Sequence, residues 1–294
     1  MVKIIDIEFL GTKSAIACFL IDSGDGLILI ETGPSTVYDN IKINLKKEGY
    51  DIGEVKHVFV THIHLDHSGG AWRFAENGAQ IYVHPEGANH LINPKKLIES
   101  ATKIYGDKMD MLWGKINGIN KNNVKSVEHK EIIKIGNTTI KSIHTPGHAN
   151  HHIAWKINNS IFTGDVAGAK IKNGPVLPAC PPPEVDLEKW YKSLELIIQE
   201  KADILYLTHY GKSTDVLNHI SEMKNILKNW ADWIKEKKSR YDNIEDLTNA
   251  FNDYVYDYLK NKHRLDENLI DQYYAANPPY MSVSGLIRYW EKSN

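Results

Sequence analysis

The segment THIHLDHSGG, residues 61–70, sets His62, His64, Asp66 and His67 within six consecutive positions directly after the apolar run HVFV. Imidazole nitrogens and carboxylate oxygens this close together suit one chemical task, holding a metal ion. Alternate side chains of an extended or turning segment share a face, so His62 and His64 reach a common ion. Asp66 and His67, past the turn, are free to face a second. Gly69 and Gly70 allow the backbone to bend tightly and a helix to start close by. Buried without a metal, several imidazoles would lack partners, an expensive arrangement. One hydrolytic zinc takes about three protein ligands and leaves a position open. Two ions need more, and three candidates lie downstream: His148 in HTPGHA, Asp165 in IFTGD and His209 in LYLTHYG. Each falls where a strand-like run stops, and loops at one sheet edge converge.

The elements that must position these residues follow from periodicity and turn chemistry. AIACFLI and LILIET read as strands joined by a hairpin at SGDG, and Pro34-Ser35 opens a helix with Ile41 and Leu45 on one face. HVFV and QIYVH are strands that flank a short helix in AWRFAENG. Residues 93–119 have helical spacing, with Leu97, Ala101, Ile104, Met109 and Leu112 forming a face. This insertion either covers the site or packs as a helix pair. Strands resume in EIIKIGNTTIKSIH, HHIAWKI and SIFTGD, with turns at Gly136-Asn137 and Asn158-Asn159. A proline-rich loop, PACPPPEVD, then leads to a helix capped by Asp186, and ADILYLTHYG is the last strand. From 217 to 294 the pattern is helical. Ile220, Met223, Leu227, Trp230 and Ile234 mark one amphipathic helix. Asp242 and Glu245 have capping-box spacing for a second over 244–259, and SGLIRYW follows Pro278-Pro279 as a short last helix. The expected organisation is a catalytic domain over 1–216 and a helical appendage over 217–294.

The 294 residues, 42 % hydrophobic and 24 % charged, have the composition of an ordinary globular protein. A formal net charge of −2 gives no field to hold a nucleic-acid backbone. Two cysteines cannot build a disulfide framework, and Cys18 reads as a small core residue. MVKIIDIEFLG is strand-like, unlike a secretory signal, and no segment has the length and apolarity to span a membrane. These features predict a cytoplasmic protein acting on a small molecule, with no nucleic-acid or membrane partner. The apolar faces of 93–119 and of the tail suit either a homodimer or burial within one chain.

With its HxHxDH motif and the later His148, Asp165 and His209 in that order, the chain resembles the metallo-β-lactamase fold superfamily over roughly 1–216. The resemblance implies an α/β (α+β) fold, a four-layer αββα sandwich with the site at one edge of its two sheets. It further implies that His62, His64 and His148 hold one metal, that Asp66, His67 and His209 hold a second, and that Asp165 bridges them. ETGP, residues 31–34, matches a position that is usually Asp-Thr-Gly. Glu31 is therefore longer by one methylene, in a place where the family residue supports the site by hydrogen bonding. Two divalent ions, zinc foremost with iron or manganese as alternatives, would supply a bridging hydroxide to attack a small ester, thioester or lactone carbonyl. Asp66 would handle the proton besides binding metal.

Among the neighbours, Tyr210, Tyr105 and Cys180 are candidates for the substrate pocket, each also readable as a packing residue. His151 and His152, with His144, surround the His148 turn and are candidates to orient ligands; the remaining histidines read as packing or surface groups. The chain resembles glyoxalase II-like and lactonase-like members in its ligand set. After Asp165, however, GDVAGAKIKNGPVLPACPPP lacks the Gly-Cys-Gly-Arg stretch common to glyoxalase II and the persulfide dioxygenases. The alternatives to a dinuclear hydrolase are a mononuclear iron oxygenase of the persulfide dioxygenase kind, using His62, His148 and Asp165, and a metal-binding sensor without turnover.

Overall fold

Strand β2 (Ala17–Asp22) is buried at every position but its last, as a strand covered on both faces must be. Its residues divide between two cores: Ala17, Phe19 and Ile21 face one, Cys18 and Leu20 the other. A computed structural model describes residues 1–292 and resolves this division into two six-stranded sheets. The first contains β1 (Val2–Asp6), β2, β3 (Leu27–Ile30), β4 (Val55–Phe59), β5 (Gln80–Val83) and β6 (Val124–Ser126), side by side in chain order. The second contains β7 (Ile132–Ile135), β8 (Thr138–His144), β9 (Ile153–Ile157), β10 (Ser160–Phe162), β11 (Ile204–Leu207) and β12 (Gly211–Ser213), again in sequential order. Their facing surfaces enclose an aromatic interior of Phe19, Phe59, Tyr82, Trp155, Phe162 and Tyr206.

Helices cover the outer faces and complete the αββα sandwich. They are α1 (Tyr38–Lys47), α2 (Leu65–Ser68), α3 (Ala71–Glu76), α4 (Pro85–Ile92), α5 (Lys95–Tyr105), α6 (Met109–Trp113), α7 (Leu187–Gln199), α8 (Val216–Lys237), α9 (Ile244–Asp257), α10 (Glu267–Ala276) and α11 (Tyr280–Lys292). The amphipathic pattern expected in α8 is realised, with Ile220, Met223, Leu227, Trp230 and Ile234 buried on one side. Asp186 caps α7 by accepting from Lys189 N at 3.0 Å. Among the described residues no helix is long and apolar enough to cross a membrane.

Several elements differ from the sequence reading. The cap of α9 is Asn243, accepting from Asp246 N at 2.9 Å, and not the Asp242–Glu245 pair one residue earlier. Helix α4, to which the sequence reading assigned no element, begins with Pro85 at its first position, where no amide hydrogen is needed. The three-residue β12 exists through antiparallel pairing with β11, a long-range cause without a local signature. Helix α11 starts at Tyr280, before the SGLIRYW segment. Of the expected 217–294 appendage, positions 293 and 294 lie outside the described residues.

Trp155 joins the two sheets: it is fully buried, meets Phe59 edge-on at 5.0 Å, and donates from its indole to the Val60 carbonyl at 3.2 Å. Trp155→Ala is expected to cost about 3–5 kcal/mol, read as a lower urea midpoint at unchanged slope. A loss below about 1 kcal/mol would contradict this account of the interior.

Candidate metal centre

Strands β3, β4 and β5 are parallel neighbours. Strand β9 is antiparallel to both β8 and β10, while β10 is parallel to β11, so β8, β10 and β11 share one direction. Glu31 follows the carboxyl end of β3 and His62 that of β4, whereas His148, Asp165 and His209 follow β8, β10 and β11. The two sheets are tied at this edge by Ile153 N donating to Thr61 O at 2.7 Å. Close backbone approach explains the local glycines. Gly164 has φ 49°, and a Cβ there would lie 2.4 Å from Thr61 Oγ1. Gly69 and Gly70 have ordinary helical φ of −59° and −88°; their smallness lets Gly70 N reach Gly33 O at 2.8 Å.

The side chains form two clusters. His62 Nε2, His64 Nδ1 and His148 Nε2 lie within 3.1 Å of one another. Asp66, His67 and His209 form the second, their ligand atoms within 4.8 Å. Asp165 stands between, 3.4 Å from His148 Nε2, 3.2 Å from His67 Nε2 and 3.4 Å from His209 Nε2.

The hydrogen bonds behind the rings assign their protons. Thr61 Oγ1 donates to Glu31 Oε1 at 2.5 Å, leaving it to accept from His62 Nδ1 at 3.0 Å. Carbonyl oxygens accept from the other rings: Ala179 from His148 Nδ1 at 2.8 Å and Ala15 from His209 Nδ1 at 3.0 Å. Glu31 Oε1 accepts from His67 Nδ1 at 3.0 Å. With Nδ1 protonated, each neutral ring turns an Nε2 lone pair inward. His62 and His148 thus present lone pairs to each other, and His67 and His209 present theirs to carboxylates. His67 Nε2 and Asp165 Oδ1 are both buried without a hydrogen bond although only 3.2 Å apart. Acceptors converging on common points are what divalent cations require, so the residues fit two metal ions.

Charge balance without a cation points the same way. Burial, followed by neighbouring imidazoles, pushes His62 and His64 well below the usual histidine range. Burial acts likewise on His67, yet Asp165, Asp66 and Glu31 outweigh it and raise this ring well above that range. His209 is raised too, burial being overcome by Asp165 and Asp66. Asp66 is pulled down to about 2, as His67 and His209 outweigh the effect of burial. The carboxylates thus favour the protonated form of His67, as they would favour a cation at the same point.

All seven expected ligands are therefore brought together, and Glu31 stands behind them as the sequence suggested. His152 orients Asp165, accepting from its backbone N at 3.2 Å, and His151 faces Glu184 at 3.4 Å. Tyr105 lines the cavity beside the clusters. Tyr210 does not: its phenol is engaged by Asp6 and Ser14 on the far side of the strand end. Cys180 is fully buried against Ser282, between two residues that do line the cavity, and burial pushes its thiol up, away from reactivity. The sequence reading missed Thr61 and Thr208 as Glu31 partners. Thr61 adjoins the motif and was detectable; the Ala15 and Ala179 carbonyls have no sequence signature.

The family model for the metallo-beta-lactamase superfamily matches residues 11–209. The chain belongs to this superfamily. Its relatives include a metallo-beta-lactamase fold-containing protein of Sulfurisphaera tokodaii, 31 % identical over 54 % of this chain and 62 % of that protein. An atrochrysone carboxyl ACP thioesterase of Aspergillus fumigatus is 24 % identical over 50 % of this chain and 28 % of its own length. This chain thus spans less than two thirds of these relatives. A metallo-beta-lactamase family protein of Thermus thermophilus shares the fold across 99 % of this chain and 93 % of its own, at 16 % identity and a TM-score of 0.71.

Glu31→Gln keeps the shape but removes the charge that fixes Thr61 and His67. Metal affinity is expected to fall about 10–100-fold in chelator competition, with the circular dichroism spectrum retained; unchanged affinity would contradict the orienting role. Because neighbouring carboxylates raise His67 above its usual value, metal binding at this ring competes with a proton. Zinc titration at neutral pH in buffers of different ionisation enthalpy should show net proton release, and net uptake would contradict the assignment.

Proposed function

We propose that this chain is a metal-dependent hydrolase that holds two divalent ions and cleaves a small ester, thioester or lactone. The observation that carries the reading is Asp165, whose carboxylate faces ligand nitrogens of both clusters. In this reading His62, His64 and His148 would hold one ion and Asp66, His67 and His209 the other, with Asp165 available to both. The nitrogen and oxygen donors suit zinc, and also iron or manganese. Bound ions supply Lewis acidity and a water that ionises near neutral pH.

The chain's own groups divide the remaining work. Glu31, Thr61 and the Ala15 and Ala179 carbonyls hold the rings in one tautomer, so no reorganisation is needed during turnover. Asp66 is the most accessible carboxylate of the centre, its side chain 24 % exposed, and it lines the cavity. It is placed to hold a proton passing from attacking water to leaving group. The thioesterase among the relatives and a hydroxyacylglutathione hydrolase of Dictyostelium discoideum, 29 % identical over 38 % of this chain, support carbonyl chemistry. A mononuclear oxygenase would need His62, His148 and Asp165 alone and leaves the second cluster without a task.

Elemental mass spectrometry of protein purified without added metal is expected to find about two ions per chain. Ester, thioester and lactone panels should then show turnover that Asp66→Ala lowers by about 100-fold or more. One iron per chain with oxygen uptake on a persulfide would overturn the hydrolase reading.

A further inference from the structure

The two clusters form one end of a cavity of about 470 Å3, into which His64, Asp66, His148, Asp165 and His209 project. This is far more room than a scissile carbonyl needs and lies within the range of sites that enclose drug-sized ligands. One wall comes from α5 and α6 through Leu97, Ala101, Tyr105 and Trp113, the opposite wall from Ala275 and Met281 of the C-terminal helices. Helix α5 is buried only at Ala101, although Leu97 and Tyr105 also pack partly against the main core. Of the eleven large apolar side chains more than a third exposed among the described residues, Leu10, Ile104, Met111 and Tyr280 line this cavity. Its charged residues away from the clusters are Lys96 and Lys108, exposed on the covering segment, and the half-buried Glu184 of the proline-rich loop, which accepts from Asn150 N at 3.0 Å.

Resting on the hydrolase reading above, we propose that the substrate is an ester or thioester of an extended apolar acyl group. The acyl group occupies the space between α5–α6 and residues 274–281, with its carbonyl at the clusters. The leaving alcohol or thiol points to the rim, where Lys96 and Lys108 favour a polar or anionic group over hydrocarbon. Water adds its oxygen to the carbonyl carbon, the C–O or C–S bond breaks, and the departing oxygen or sulfur takes a proton from that water, giving a carboxylic acid. Exposed apolar side chains gathered at one mouth are explained by such an occupant, since each methylene that enters leaves water.

Four measurements test the assignment, the last a comparison of octyl acetate with methyl octanoate, of which methyl octanoate should be the faster. With p-nitrophenyl acetate, butyrate and octanoate the leaving group is constant, and kcat/KM should rise about fourfold per added methylene until the cavity is full. Ala101→Phe and Ala275→Phe narrow the cavity from opposite walls, and each should lower the octanoate-to-acetate ratio by about tenfold. Octanamide, titrated by calorimetry against metal-stripped protein, should bind at least about tenfold more tightly than butanamide. Equal hydrolysis of all three esters overturns the acyl assignment and leaves the hydrolase reading standing. Selective octanamide binding without turnover of any ester on metal-loaded protein keeps the apolar site and overturns the hydrolase. Octyl acetate outrunning methyl octanoate overturns the acyl orientation, as does an unchanged ratio in both variants.

Discussion

A carboxylate with no exposed surface governs this site. Glu31 is fully buried, and a buried charge costs several kcal/mol unless its oxygens are paired. Its partners are Thr61 N at 3.2 Å, Thr61 Oγ1 at 2.5 Å, His67 Nδ1 at 3.0 Å and Thr208 Oγ1 at 3.3 Å. These groups follow β4 and β11, so satisfying Glu31 draws the edges of both sheets together. The same bonds set the tautomers of His62, through Thr61, and of His67 directly. Glu31 has φ 67°, a left-handed backbone uncommon for a side-chain-bearing residue. That conformation persists because its surroundings determine it.

From this anchor the chemistry follows. Fixing Nδ1–H on four rings forces four Nε2 lone pairs inward, toward each other and toward Asp66 and Asp165. A protein interior built this way repels itself unless protons or cations enter. Carboxylates outweigh burial at His67 and favour its protonated form, whereas burial and neighbouring imidazoles lower His62 and His64. The two clusters thus differ in charge before any metal binds, a three-imidazole pocket beside a carboxylate-rich one. The difference lies in the donor sets alone, nitrogen in one cluster and mixed nitrogen and oxygen in the other.

The clustered side chains were legible because His62, His148, Asp165 and His209 follow strand ends, and His64, Asp66 and His67 continue the motif through a turn into α2. The six-position motif needs only alternation and a turn, both local. The inter-sheet interior was legible too, since AIACFLI cannot be a half-solvated strand. Tyr210 was misplaced for a physical reason: adjacency to His209 in sequence says nothing about which side of the strand end a phenol takes, and Asp6 and Ser14 claim it. Strand β12 and the cap of α9 were misread because pairing and cap geometry are decided by backbone conformation, which periodicity does not encode.

The C-terminal helices, separate in composition, act on the centre itself. Tyr273 donates to Pro175 O at 2.6 Å and accepts from Ile171 N at 3.1 Å. Asn277 donates to Pro178 O at 2.9 Å, and Ser282 accepts from Cys180 N at 3.1 Å. These bonds clamp the backbone on both sides of Ala179, whose carbonyl fixes the proton of His148 at 2.8 Å. A Cβ at Gly285 would come within 2.0 Å of Cys180 O, so α11 seats against this loop as closely as backbone allows. A loop of prolines, without regular hydrogen bonds of its own, could not by itself hold a carbonyl to the tolerance that orienting an imidazole needs. The helical tail supplies that stiffness, and its residues from Tyr274 to Met281 line the cavity beside the same centre.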